Sequence, residues 1–290
     1  MTRAFAYLLL WFFILPSFGQ SLRKGYWNAS ALISANTFLS DLGGKNGDAT
    51  HDFRDIDYNE TNLAIGGGLS YHFKFGLSLN LNNFYTRLTA SDANTVSSRT
   101  NRMITVRTDL IESNLSLQYT LPKTAGILYG TYFNIGSGIA FYEPKATYKR
   151  RYYKLRDLGT EGQLIDPNKS IYKKYAFVVP FGFGKNFYFG NRNSVAIDFS
   201  FRKSFSDYLD DVSTTYHDRS EILAKSGVAA AYFSDPSFDT FGKNKSGSIR
   251  GNPKHNDTYF LVGLKLNLKL NSSYRRNHPR FYQENWFRKF

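Results

Sequence analysis

No cysteine occurs in the 290 residues. That absence excludes a disulfide framework, a thiolate zinc site, a cysteine nucleophile and a lipid-modified N-terminal cysteine. The five histidines are scattered, so no metal or cofactor set suggests itself, and we expect no cofactor. Long apolar runs are also missing beyond residue 20. The richest stretch, Tyr175 to Gly184, is broken by Pro180 and Gly182, whereas a spanning helix needs about 20 apolar residues. Acidic residues are in short supply, 23 against 37 Lys plus Arg, for a net charge of +14. Mean hydropathy is −0.40.

What is abundant is aromatic: 17% of the chain, with 26 Phe and 21 Tyr beside 23 Gly. Aromatics suit strands and glycine suits tight turns, and neither favours long helices. The first residues look like an export signal. Arg3 supplies a positive start, Ala4 to Leu15 an apolar middle, and Ser17-Phe18-Gly19 small residues at both positions a signal peptidase reads. We therefore expect a signal peptide over 1–19 and a mature chain beginning at Gln20. Export removes nucleic acid as a partner despite the basic charge, and leaves the periplasm, the medium or the outer membrane.

Periodicity decides among these. Ten-residue alternation of lipid-facing and lumen-facing side chains marks an outer-membrane strand, weakly for one segment and strongly when repeated. Trp27, Ala29, Ala31, Ile33 and Ala35 alternate with Asn28, Ser30, Ser34 and Asn36. Similar runs follow at Leu63–Phe73, Phe75–Leu81, Ile111–Leu121, Tyr129–Phe141, Phe177–Phe189, Val195–Phe201 and Phe260–Leu270. Eight is an even number, as closure of an antiparallel barrel requires. A soluble sandwich would alternate too. Against it stand the bulky apolar faces, such as Phe177 through Phe189, and polar faces carrying Asn, Ser, Asp198 and Arg202, which fit a wet lumen. The expected fold is all-β: an eight-stranded antiparallel transmembrane barrel over 20–270, located in the outer membrane and in contact with its lipid.

Connections are short at Phe73–Phe75, Pro122–Leu128 and Gly190–Asn193, with Lys74 as the expected tip of the first. They are long over 40–62, 87–104, 144–174 and 206–257. Short turns face the periplasm and long loops the outside, so the loops are expected to be extracellular. Eight strands enclose little more than their own side chains, which argues against a general porin.

Candidate functional residues fall in three places. The stretch 144–174 carries nine bases against Asp157, Glu161 and Asp166; within it Lys149, Arg150, Arg151 and Lys154 are candidates for contact with anionic lipid. A solvated loop would have the same composition. Loop 206–257 is too long for plain coil and should fold on itself. Its Asp207, Asp210, Asp211 and Asp218 lack the spacing and closing Glu of an EF-hand, which favours turns and caps over calcium. Ser213, His217 and His255 show no triad spacing, and we expect no enzyme. The third place is the tail, 271–290, where Arg275, Arg276, Arg280, Trp286 and Arg288 mix charge with aromatics. That mixture favours a periplasmic protein partner, since Trp, Tyr and Arg are enriched at interface hot spots. A disordered terminus or an assembly signal reads the same way.

Five pieces spread along the mature chain carry a resemblance. They are Leu39 to Gly44, Arg107 to Glu112, Gly159 to Gln163, Asp207 to Tyr216 and Arg250 to Tyr259. Taken together they resemble a family of outer-membrane β-barrels of Bacteroidota that includes the PorG-type barrel of type IX secretion. The resemblance implies a non-enzymatic anchor or scaffold, an accessory of that secretion machinery. The alternative is a cell-surface binding or adhesion barrel that uses its long loops.

Overall fold

The computed structural model describes residues 25–42, 60–94, 102–190, 192–242 and 244–270. The expected signal peptide and the tail lie outside them. Nine strands form one antiparallel sheet: β1 (Tyr26–Leu39), β2 (Asn62–His72), β3 (Leu77–Ser91), β4 (Thr105–Thr120), β5 (Thr131–Tyr148), β6 (Arg151–Lys154), β7 (Tyr175–Phe189), β8 (Asn193–Ser204) and β9 (Thr258–Lys269). Pairing of β1 with β9 and of β4 with β5 closes eight of them into a barrel. The ninth, β6, is a four-residue hairpin arm on the top of β5. Closure leaves no free edge in the membrane, where an unpaired backbone group has no water to turn to. Among the described residues no helix is long and apolar enough to cross a membrane.

The alternation read from the sequence fixes which side chains face lipid. Ile33, Leu63, Ile65, Leu69, Leu115, Leu117, Ile135, Phe177 and Leu264 all point outward and are exposed. Their lumen-facing neighbours Asn28, Asn80, Asn114, Ser116 and Gln118 are buried. Outward rings also pair across strands, Phe181 on Phe201 at 5.3 Å and Phe183 on Phe199 at 5.2 Å. The belt ends in aromatics, with Trp27 against Tyr71 at the short-turn end and Phe141 against Tyr175 at the other.

The first hairpin differs from expectation at its tip. Phe75 does not start the third strand; it sits in the turn Lys74–Gly76 with φ at 63°, and Leu77 begins β3. Gly76, at φ 81°, is required there, because a Cβ would lie 2.3 Å from the Thr120 carbonyl oxygen. Likewise β5 begins at Thr131 rather than Tyr129, and β9 ends at Lys269. Between β5 and β7 the pairing is interrupted at 136–137 opposite 179–180, where Pro180 has no N–H to give.

Several strands continue past the belt, and there the pattern inverts. Below Glu112, β4 puts leucine outside and Asn, Ser and Gln inside. Above it, Val106, Thr108 and Leu110 face inward and buried while Arg107 and Asp109 face outward. Leu88 against Arg87 and Tyr142 against Glu143 repeat the inversion on β3 and β5. A hydrophobic core therefore forms above the membrane, between the strand tops and the loops, from residues that include Leu88, Val106, Leu110, Leu155, Leu209 and Phe233. The loops contribute α1 (Leu155–Leu158), α2 (Arg219–Ser234) and α3 (Phe238–Phe241). Asp218 caps α2, accepting from the Ser220 N–H at 2.8 Å. The long segment 206–257 is thus folded on itself, as its length required.

Candidate functional site

Two levels of the barrel carry buried polar chemistry. Within the lumen, Tyr259 donates to the Glu112 carboxylate and Asn114 donates to its other oxygen at 2.6 Å. Arg202 lies 3.6 Å from Glu112 and 5.0 Å from the centre of the Phe84 ring. Lower down, Lys265 donates to Asn82 at 3.3 Å and Tyr132 to Asp198. The cavities left among these side chains are about 20 and 30 Å³, room for a water or two each.

Above the lumen the loops are tied to one another through two arginines. Arg250 is fully buried; its Nη1 donates to Glu161 Oε1 at 2.9 Å and to the Asp211 carbonyl at 2.6 Å, and its Nη2 to the Phe233 carbonyl at 3.3 Å. Glu161 also accepts from the N–H of Ser213 at 2.9 Å and from the Thr214 hydroxyl at 2.6 Å. Arg102 holds Asp92 with two bonds of 2.8 Å and reaches the carbonyls of Arg250 at 2.6 Å and Asp41 at 2.7 Å. Buried charges survive only when paired and hydrogen-bonded in this way. Four of the five pieces that carry the family resemblance meet in this cap, through Asp41, Glu161, Asp211 and Arg250; the fifth, Arg107 to Glu112, is the stretch of β4 beneath it.

The acidic residues of 207–257 serve the same cap. Burial pushes the Asp207 carboxyl up to about 9, and the charges of Asp210 and Asp41 add to the shift. Asp257 and Asp210 are raised by burial and then by their acidic neighbours. Asp211 rises only to about 6, because Arg250, Thr160 and Tyr172 support its charged form. Backbone N–H groups satisfy part of the cluster, Leu209 to Asp257 and Val212 to Asp210, both at 2.9 Å. Among the described residues no three acids or histidines are set to hold a metal ion. His217 bonds Glu221 at 2.8 Å and His255 meets Asn252 at 3.3 Å, so the Ser213 triad that can be drawn on paper is not assembled.

The four basic candidates are split by the structure. Lys154, paired across from Lys145, sits low on the outer wall and bonds Glu143 at 2.7 Å. It extends a ladder of charges in which Arg87 meets Asp109 at 3.0 Å, and Lys145 meets Asp109 at 3.1 Å and Glu143 at 3.0 Å. Lys149 and Arg150 form the tip of the β5–β6 hairpin, with Arg151 beside them, and all three are exposed. Both tip residues have positive φ, 47° and 64°, a pair of left-handed conformations that hairpins of this length demand. Lys149 lies over the Tyr148 ring at 5.3 Å. Arg275, Arg276, Arg280, Trp286 and Arg288 lie outside the described residues.

A closed sheet, an outward apolar belt edged by aromatics and long loops gathered at one end define a small outer-membrane β-barrel. Its strands contact membrane lipid. Among solved structures the chain is similar to Neisserial surface protein A, at 6% identity over 84% of this chain and 96% of that one, TM-score 0.37. It is also similar to Ail, the attachment invasion locus protein of Yersinia pestis, solved with the heparin analogue sucrose octasulfate, at 9% identity over 84% and 99%, TM-score 0.37. The N-terminal barrel domain of Pseudomonas aeruginosa OprF matches at 9% identity over 84% and 100%, TM-score 0.34. No family model and no curated protein matches the chain.

Proposed function

We propose that this is a non-enzymatic cell-surface binding barrel that presents a cationic hairpin to an anionic extracellular glycan. The observation that carries the reading is the height of Lys149, Arg150 and Arg151. Phe141 is the last outward apolar residue of β5, and Lys149 lies eight positions beyond it. At about 3.4 Å per residue and a tilt near 40°, the tip stands roughly 20 Å above the belt, beyond the headgroups of the bilayer. Among the described residues no carboxylate pairs with these three side chains. The fused loops beneath hold the hairpin up, through Tyr148 against Tyr232 at 4.6 Å and Tyr153 against Phe233 at 5.8 Å. Lower on the wall, Lys154 and its ladder are at the right height for phosphates of outer-leaflet lipid. The test uses the full chain in detergent and immobilised heparin as probe. Lys149→Ser with Arg150→Ser should abolish retention at physiological salt, whereas Lys154→Ser should not; equal retention of the first variant refutes the reading.

A second reading keeps the scaffold role, on the composition of 271–290 and on the resemblance to PorG-type barrels. In it the tail residues Arg275, Arg276, Arg280, Trp286 and Arg288 hold a periplasmic protein of the type IX secretion machinery. Deleting 271–290 should then leave the barrel inserted and lose a co-purifying periplasmic protein. Unchanged co-purification removes this reading without touching the first.

A further inference from the structure

The wall of the barrel is not complete at every height. Arg107 and Lys145 are the last residues paired between β4 and β5. Beyond them β4 stays with β3 up to Thr105, while β5 turns to β6, so the two strands part. The gap holds a cavity of about 300 Å³, backed by the end of α2 and by Pro236. That volume is far above the lumen's cavities and falls at the lower end of the range in which small-molecule sites occur.

The lining is apolar for most of its depth, with the buried Arg250 at its back, already paired with Glu161, and basic side chains at its mouth. Ile104, Val106, Ala146, Leu155 and Phe233 are buried members of its wall. At the mouth stand Arg107, Lys145 and the exposed ring of Tyr152. Lys145 is already neutralised by Asp109 and Glu143. Arg107 is not: among the described residues its guanidinium donates only to the Tyr152 hydroxyl, at 3.3 Å, and lies 5.7 Å from that ring's centre. Arg107 comes four positions before the outward Ile111, about 10 Å higher along the axis, which is the level of the lipid headgroups. The mouth therefore opens where an amphiphile's charged end already resides.

We propose that this window between β4 and β5 binds a long-chain fatty acid, with the carboxylate on Arg107 and the acyl chain against Ile104, Val106, Leu155 and Phe233. A bidentate guanidinium–carboxylate contact supplies orientation, and burial of methylenes supplies affinity. The site shares Thr147 and Tyr152 with the hairpin, but neither Lys149 nor Arg150 lines it, so Lys149→Ser with Arg150→Ser should keep the fatty-acid labelling.

The experiment places the full chain in lipid nanodiscs with a photoactivatable palmitate and locates the adducts by mass spectrometry. Adducts are expected on the peptides carrying Met103 to Arg107 and Tyr152 to Leu155, displaced by unlabelled fatty acid and not by the matching alcohol. Measured against the free aqueous acid, competition should strengthen about fourfold per added methylene until the cavity is full and level off beyond it. Arg107→Glu should lower labelling there at least tenfold, and Ala146→Trp, which fills the cavity, should remove it. Heat-modifiable electrophoretic mobility reports whether each variant is folded. If Ala146→Trp does not fold, the Arg107→Glu result and the chain-length series decide. Adducts confined to the belt, a flat chain-length series, or window labelling unchanged in folded Arg107→Glu would each overturn the proposal.

Discussion

Arg250 and Glu161, 89 positions apart in the chain, form an ion pair of 2.9 Å in which neither side chain reaches solvent. The pair joins the third long loop to the fourth. Removing one partner strands the other charge in a dry environment, which costs about 3–5 kcal/mol, whereas removing both can be nearly neutral. Arg250→Met should therefore open the loops to protease while the barrel keeps its heat-modifiable mobility. Adding Glu161→Gln to Arg250→Met should restore part of the resistance. Limited proteolysis of the intact membrane protein, read by mass spectrometry, checks both.

The acidic cluster makes the cap sensitive to alkali. Asp207 titrates near 9 in the folded chain against about 3.9 unfolded, so between those values the folded state holds the extra proton. Its stabilising contribution is whole below the unfolded value and is lost as pH rises towards 9. Asp257 and Asp210 are shifted in the same direction. Amide exchange at Leu209 and Val212, corrected for its intrinsic dependence on pH, should speed up from pH 6 to pH 9. Asp207→Asn should flatten that slope.

The hairpin tip has been left with residues that fit its backbone poorly. A left-handed residue other than glycine or asparagine costs about 1–2 kcal/mol, and Lys149 and Arg150 are both in that region. Lys149→Asn with Arg150→Gly should protect the hairpin amides further in hydrogen exchange. The same change should remove heparin retention, separating the stability of the turn from its charge.

Lipid contact is tested at Leu115, an outward residue in the middle of the span of β4. Arginine at the midplane of a barrel costs about 2–4 kcal/mol. Leu115→Arg should lower folding stability in vesicles by that amount in a denaturant titration. Ser116→Arg, one position on, should respond differently, because its side chain enters the lumen and meets Asn82 and Asn80.

The eight spanning strands were legible because hydrocarbon outside and polar groups inside impose a period of two that survives any loop. What the sequence hid is the inversion of that period. Val106-Arg107-Thr108-Asp109-Leu110 alternates as cleanly as Leu115 to Tyr119, with the opposite sense, and marks where β4 leaves the membrane. Reading the sign of the alternation as well as its period would have lengthened β3, β4 and β5 and located the second core. The helix α2 was hidden for another reason. Gly227, at φ 84°, interrupts it, and the buried Ile222 on one side of that break and Ala230, Ala231 and Phe233 on the other form no single helical stripe. Arg250 opens one of the pieces that carry the resemblance, but its role had no signal: one arginine in a polar loop looks like any other until its carboxylate partner is brought to it. Phe75 misled because an aromatic at the next odd position is a strand residue by pattern and a turn residue by geometry.

The meeting of Asp41 with the 250–252 segment has a temporal meaning. Asp41 follows the opening strand and accepts from the Asn252 N–H, and Arg102 grips both the Asp41 and the Arg250 carbonyls. Those two stretches become neighbours only after β1 has zipped onto β9. The knot of loops can therefore close only on a finished cylinder, and its presence marks one.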